Sequence, residues 1–167
     1  MIGLGSVSRM TVVASGDQLL LAGTIDETAK LVPLLGDARN GRLILDLAGI
    51  TFINSIGVRE WCLMQKAATT SKVGLELRRV AEPIVHQLNI MPAARLASLV
   101  TSFYAPYECD DCDQEYEILL DVRVHGKDLI KMRAPVQKCP DCDADLVFSH
   151  PPELYFTFLG VDIPDRN

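Results

Sequence analysis

Cys109-x-x-Cys112 and Cys139-x-x-Cys142 place four of the chain's five cysteines in two short pairs, with 26 residues between the pairs. In a chain read as cytoplasmic, such pairs point to a metal site rather than to disulfides. Each C-x-x-C turn folds two thiolates towards one point, and two turns complete a tetrahedral four-thiolate shell around Zn2+. Such a shell is closed. It leaves no position for a substrate, so the ion it holds is structural. Iron takes the same ligands, which leaves electron transfer as an alternative. His125 and His150 lie near the second pair in sequence, but four cysteines already satisfy one ion, so neither is expected to ligate it.

A second chemical feature is Asn54-Ser55-Ile56-Gly57. Asn and Ser are both good N-cap residues, and one of them caps the helix that follows. A helix N-terminus offers free N–H groups and partial positive charge. Gly57 either lets the first turn pack closely or lets a partner approach. Asp26 either caps a helix or contacts a partner.

These residues need elements to hold them. Met10–Ala14 and Gln18–Ala22 are short apolar runs around Ser15-Gly16-Asp17, which predicts a hairpin. Leu31, Leu34, Leu35 and Ala38 stand at helical spacing. They predict a helix over 24–38, with Thr24-x-x-Glu27 as a capping box and a kink at Pro33. The apolar run Arg42–Leu47 predicts a strand buried on both faces. Helices are expected over 56–70 and from Glu82-Pro83, and strands over 73–79 and 99–103. His86, on the third helix, reads as a surface or half-buried side chain. Trp61, with Val58, Cys62 and Gln65 at helical spacing, reads as core, and Cys62 as an inert core thiol. The order β-β-α-β-α-β-α-β predicts an α/β (α+β) fold, a mixed sheet with helices on one face.

Tyr104–Tyr107 is read as a joint, dividing the chain into units 1–103 and 104–167. The second unit is predicted to be β-rich. A strand over 115–124, a turn at His125–Asp128 and a strand over 129–134 would form a hairpin between the metal turns, with a third strand over 144–148. Pro151-Pro152 should start one or two helical turns whose apolar residues close the core. Residues 164–167 read as a frayed tail.

Leu43–Gly57, with its buried strand, short loop and Asn-Ser-x-Gly, resembles the signature of the STAS family, which includes the bacterial anti-sigma-factor antagonists. Gly23-Thr24-Ile25-Asp26 and the strand-helix pair at Val73–Val80 and Pro83 resemble further family segments, so the likeness covers about 8–103. It implies that Ser55 is the acceptor of a phosphate from a partner that is both serine kinase and anti-sigma factor. It also implies a docking surface around Asp26, Asn54, Ser55, Ile56 and Gly57. Asn54 stands where the family usually has Asp, and Ile56 where it often has a small or polar residue. Those departures favour a fixed scaffold subunit over a switch. The four-cysteine unit is similar to zinc ribbons and rubredoxins. Those knuckles usually carry Gly after the second Cys, where this chain has Asp113 and Asp143.

Charge and composition narrow the classes further. The first unit carries a net +2 and the second a net −8. Phosphate contacts need clustered Lys and Arg, so the acidic unit argues against nucleic-acid binding. No run approaches the roughly 18 apolar residues of a membrane span. Met1–Ser8 lacks a basic, then apolar leader, so a cytoplasmic location is expected. No paired catalytic carboxylates, Ser-His-Asp set or phosphate-cradling glycine loop is visible. The sequence therefore reads as a non-enzymatic protein-interaction module with one structural Zn2+.

Overall fold

Residues 7–159 are described by a computed structural model of the chain. The leader reading of Met1–Ser8 falls mostly outside them, and that of the tail 164–167 wholly. The hairpin forms as expected. β1 (Met10–Ser15) and β2 (Gln18–Ile25) pair antiparallel from Met10↔Gly23 to Ser15↔Gln18. The two-residue turn between them is served by Gly16, whose φ of 62° costs a glycine nothing.

The helix predicted over 24–38 does not form. Thr24 and Ile25 are claimed by β2, where they pair with Phe52 and Ile53 of β3 (Arg42–Ile53). The Asp26 carboxylate accepts from the Thr28 backbone N–H and hydroxyl, which turns the chain out of the sheet. Glu27 accepts from the Asn54 side chain, not from Thr24, so there is no capping box. Pro33 then confines the remainder to a 3-10 turn, Val32–Asp37.

After β3 the expected alternation holds. α1 (Ser55–Thr70), β4 (Gly74–Arg78), α2 (Glu82–Ile90), a 3-10 turn (Pro92–Arg95) and β5 (Ser98–Val100) follow. The sheet order is β1-β2-β3-β4-β5, parallel from β2 onward. The three parallel crossovers step the same way, and right-handed connections therefore lie on one face. That face carries the core. Leu43, Leu45 and Leu47 of β3 and Leu75 and Leu77 of β4 point into it, and Trp61, Met64 and Leu88 cover them. Trp61 is fully buried, with its indole N–H donated to the Ala94 carbonyl at 2.7 Å. Cys62 lies at the margin of this core, only partly buried.

The other face of the sheet is a polar layer. Asp46 and Glu76 are buried there, paired with Arg79 at 2.7 Å and Arg78 at 2.8 Å. The apolar run of β3 is thus buried on both faces as expected, but beside charges on one of them.

The expected joint at Tyr104–Tyr107 is the middle of a strand, β6 (Ser102–Cys109). A single residue, Thr101, separates it from β5. β6 still touches the first sheet through a parallel bridge, Val80↔Phe103, while it forms the centre of a second one. That sheet has the order β7-β6-β8 and is antiparallel, with β7 at Gln114–Asp121 and β8 at Val147–Phe148.

The predicted hairpin between the metal turns is replaced by a strand and a helix, α3 (Val122–Ile130). Asp121 caps α3 by accepting from the Arg123 N–H. Val122, Gly126 and Leu129 follow helical rather than alternating spacing, with Leu129 buried and Val124 exposed. The C-terminal turns form as expected. α4 (Pro152–Tyr155) and a 3-10 turn, Thr157–Leu159, bury Tyr155, Phe156, Phe158 and Leu159. Phe103 packs against three of these rings at centroid distances of 5.2–6.3 Å. One continuous apolar cluster runs from Met10 to Leu159, across both sheets.

Candidate metal centre and the surface around Ser55

The two C-x-x-C turns are closed by the strands that flank them. Cys109 ends β6 and pairs with Gln114, the first residue of β7, so the first turn is the β6–β7 hairpin loop. The second is closed by the bridge Lys138↔Asp145 and by the Cys139 N–H, donated to Ala144 at 2.8 Å. In both turns the residue after the second cysteine donates its N–H to the carbonyl of the first. Asp113 donates to Cys109 at 2.9 Å and Asp143 to Cys139 at 3.0 Å. Both aspartates take the left-handed region, with φ of 55° and 61°. This is the conformation that ribbon knuckles usually give to glycine, and Asp reaches it at modest cost.

The turns bring all four sulfurs together, each within 4.8 Å of the others. Cys109 Sγ and Cys142 Sγ are 3.5 Å apart, and Cys112 Sγ and Cys139 Sγ 3.9 Å. A tetrahedral ion with bonds of about 2.3 Å to sulfur has edges of about 3.8 Å between its ligands. The cluster can therefore hold a metal ion. Cys109 and Cys139 are buried and Cys142 is exposed, so the site lies just below the surface.

The protein favours ionisation at one corner and opposes it at another. The Tyr116 hydroxyl, 3.4 Å from Cys139 Sγ, and the backbone N–H groups of Asp141 and Cys142 pull the Cys139 thiol down to about 6. Hydrogen bonding with Cys142, burial and the other two cysteines push Cys112 well up. Four neighbouring thiolates need a cation to coexist. Among the described residues, neither His125 nor His150 joins this cluster.

The residues around Ser55 meet at one corner of the first sheet, but they are not equally accessible. Asn54 caps α1 through its side-chain oxygen, which accepts from the Gly57 N–H at 2.8 Å. Its backbone N–H is donated to the Ile25 carbonyl. Gly57 is buried against the end of β2, where an added Cβ would stand 2.0 Å from the Ile25 oxygen. Close packing explains this glycine.

Asp26 is only 1% exposed and is held by Thr28 and by Arg9 at 3.1 Å. Its two bonds from Thr28, with Arg9 adding, keep its carboxyl below the ordinary range despite burial. It caps no helix. Ser55 and Ile56 stand exposed at the start of α1 beside the half-buried Asn54, and Phe52, near the end of β3, is also exposed.

Sequence reasoning missed one grouping. Glu82 and His86 of α2 come together with His150 from the loop after β8. The i,i+4 spacing of Glu82 and His86 was readable, but the 64 residues from His86 to His150 gave no sign of their meeting.

Comparison with family models, with curated proteins and with solved structures returns no match for this chain.

Proposed function

We propose that the chain is a non-enzymatic protein-interaction module of bacterial signalling, of the anti-sigma-factor-antagonist type. Ser55 and Ile56 would form its contact surface and a Zn2+ in the four-cysteine site would hold its second sheet. The observation that carries this reading is the exposure of Ser55 and Ile56 on a backbone fixed by Asn54, Gly57 and Ile25. Such a surface presents the same shape free and bound. It therefore loses little entropy on docking. A phosphate on Ser55 would disrupt docking by charge alone, without refolding the chain. The partner class is a histidine-kinase-like serine kinase or an anti-sigma factor. Zn2+ would be bound by Cys109, Cys112, Cys139 and Cys142 in a closed shell, with no catalytic role.

One observation favours a constitutive scaffold without the switch. The Asn54 side chain accepts from Gly57 and donates to Glu27, so the residue before Ser55 serves as a structural cap and presents an amide in place of a carboxylate. The test is an affinity capture from bacterial cytoplasm with wild type, Ser55→Asp and Ile56→Glu, quantified by mass spectrometry. Kinase-like or anti-sigma partners held by wild type and lost from both variants support the switch. The same partners lost only from Ile56→Glu support the scaffold. Equal capture by all three removes this surface from the function.

A further inference from the structure

We propose that Glu82, His86 and His150 form a second metal site, for a divalent first-row transition ion such as Zn2+, at the mouth of a cleft. It is separate from the four-cysteine site and independent of the function proposed above. His86 Nε2 lies 3.2 Å from Glu82 Oε1, and His150 Nε2 lies 3.4 Å from the same oxygen. An ion with bonds of about 2.0–2.1 Å to nitrogen and oxygen spaces its tetrahedral ligands about 3.3 Å apart. Two of the three edges already match. The third, between the imidazoles, is within 4.8 Å.

The ligands are held in place by packing. Glu82 and His86 stand one turn apart on α2, on one face of the helix. His150 is fixed from both sides, by the Ser149 N–H donated to Pro106 and by Pro151, which precedes α4. Its ring stacks on Tyr155 at 5.5 Å and 10°. α2 and α4 are clamped by Asn89, which donates to the Tyr155 carbonyl and accepts from the Phe158 N–H, each at 2.8 Å. The backbones that carry the two histidines are therefore fixed relative to each other by the core, while the His86 side chain itself is 49% exposed. Without an ion, each imidazole N–H can donate to Glu82. Binding needs only a tautomer shift that moves the proton to Nδ1 and frees Nε2.

The surroundings suit a cation. Glu82 and His86 line a cleft of about 570 Å³ whose wall includes a second carboxylate, Glu117. Two histidines and one carboxylate leave coordination positions open. Ile50, Phe52 and Ile53 line the same cleft. The cleft thus runs from Glu82 and His86 to the end of β3, two residues before Ser55.

The test is zinc titration of metal-free wild type, His86→Gln and His150→Gln under reducing conditions, with Co2+ as a spectroscopic substitute. Wild type should bind two equivalents, only one of them with thiolate-to-cobalt absorption. Each variant should keep the thiolate equivalent and lose the other. Imidazole ¹⁵N signals of both histidines in wild type should shift only as the non-thiolate equivalent binds, a readout that needs no variant to fold. A single equivalent in wild type, a second equivalent unchanged in both variants, or unmoved imidazole signals would each overturn the proposal.

Discussion

The two sheets are stabilised by different means. The first has a wide apolar face under Trp61, Met64, Ile84 and Leu88, and a strand order fixed by parallel crossovers. The second has three strands, one of them of two residues, and its outer strand β7 is exposed or half-buried at every position but Leu120. Its shape depends on two turns whose cysteines converge. Where side chains can fill a layer, burial suffices. Where the chain is too short to build one, a cross-link through an ion held by the four cysteines would take over.

Metal removal should break this contrast most sharply. A structural zinc site contributes on the order of 10 kcal/mol. Chelation should abolish hydrogen-exchange protection in β6–β8 around the cysteines while β2–β4 stay protected. Simultaneous loss in both sheets would instead show one cooperative unit. Trp61→Ala should have the opposite reach. It removes the largest buried side chain and should lower unfolding free energy by about 3–5 kcal/mol, with or without bound metal. Denaturant melts in both conditions check this.

Asn54→Ala deletes the cap of α1 and should lower stability by about 1 kcal/mol, leaving metal affinity unchanged. The smallest effect is expected at the second knuckle. Asp143→Gly relieves a left-handed aspartate and removes a negative charge beside four sulfurs. It should raise the chelator concentration needed to strip the ion, with a gain of up to about 1 kcal/mol.

What was legible in the sequence follows the same division. In the first sheet, apolar periodicity and caps agree with the tertiary structure, so β1, β2, α1, β4 and α2 stand close to their expected places. The exception is 24–38, where pairing with Phe52 and Ile53 outcompeted a helical apolar pattern. In the second sheet, the cysteine spacing alone revealed the cluster, because ligand chemistry imposes its own geometry. The backbone between the pairs was misread. Val122 and Val124 extend the alternation of β7, and the Asp121 cap that ends it was overlooked. The joint at 104–107 failed for a related reason. Its Pro and Tyr residues sit in a strand whose partners, β7 and β8, come later in the chain.

The single residue between β5 and β6 has a mechanical consequence. With Thr101 as the only spacer and Val80↔Phe103 bridging behind it, the second sheet has no hinge on the first. A load applied at the cysteine knuckles should therefore pass along β6 into the edge of the five-stranded sheet at the Val80↔Phe103 bridge.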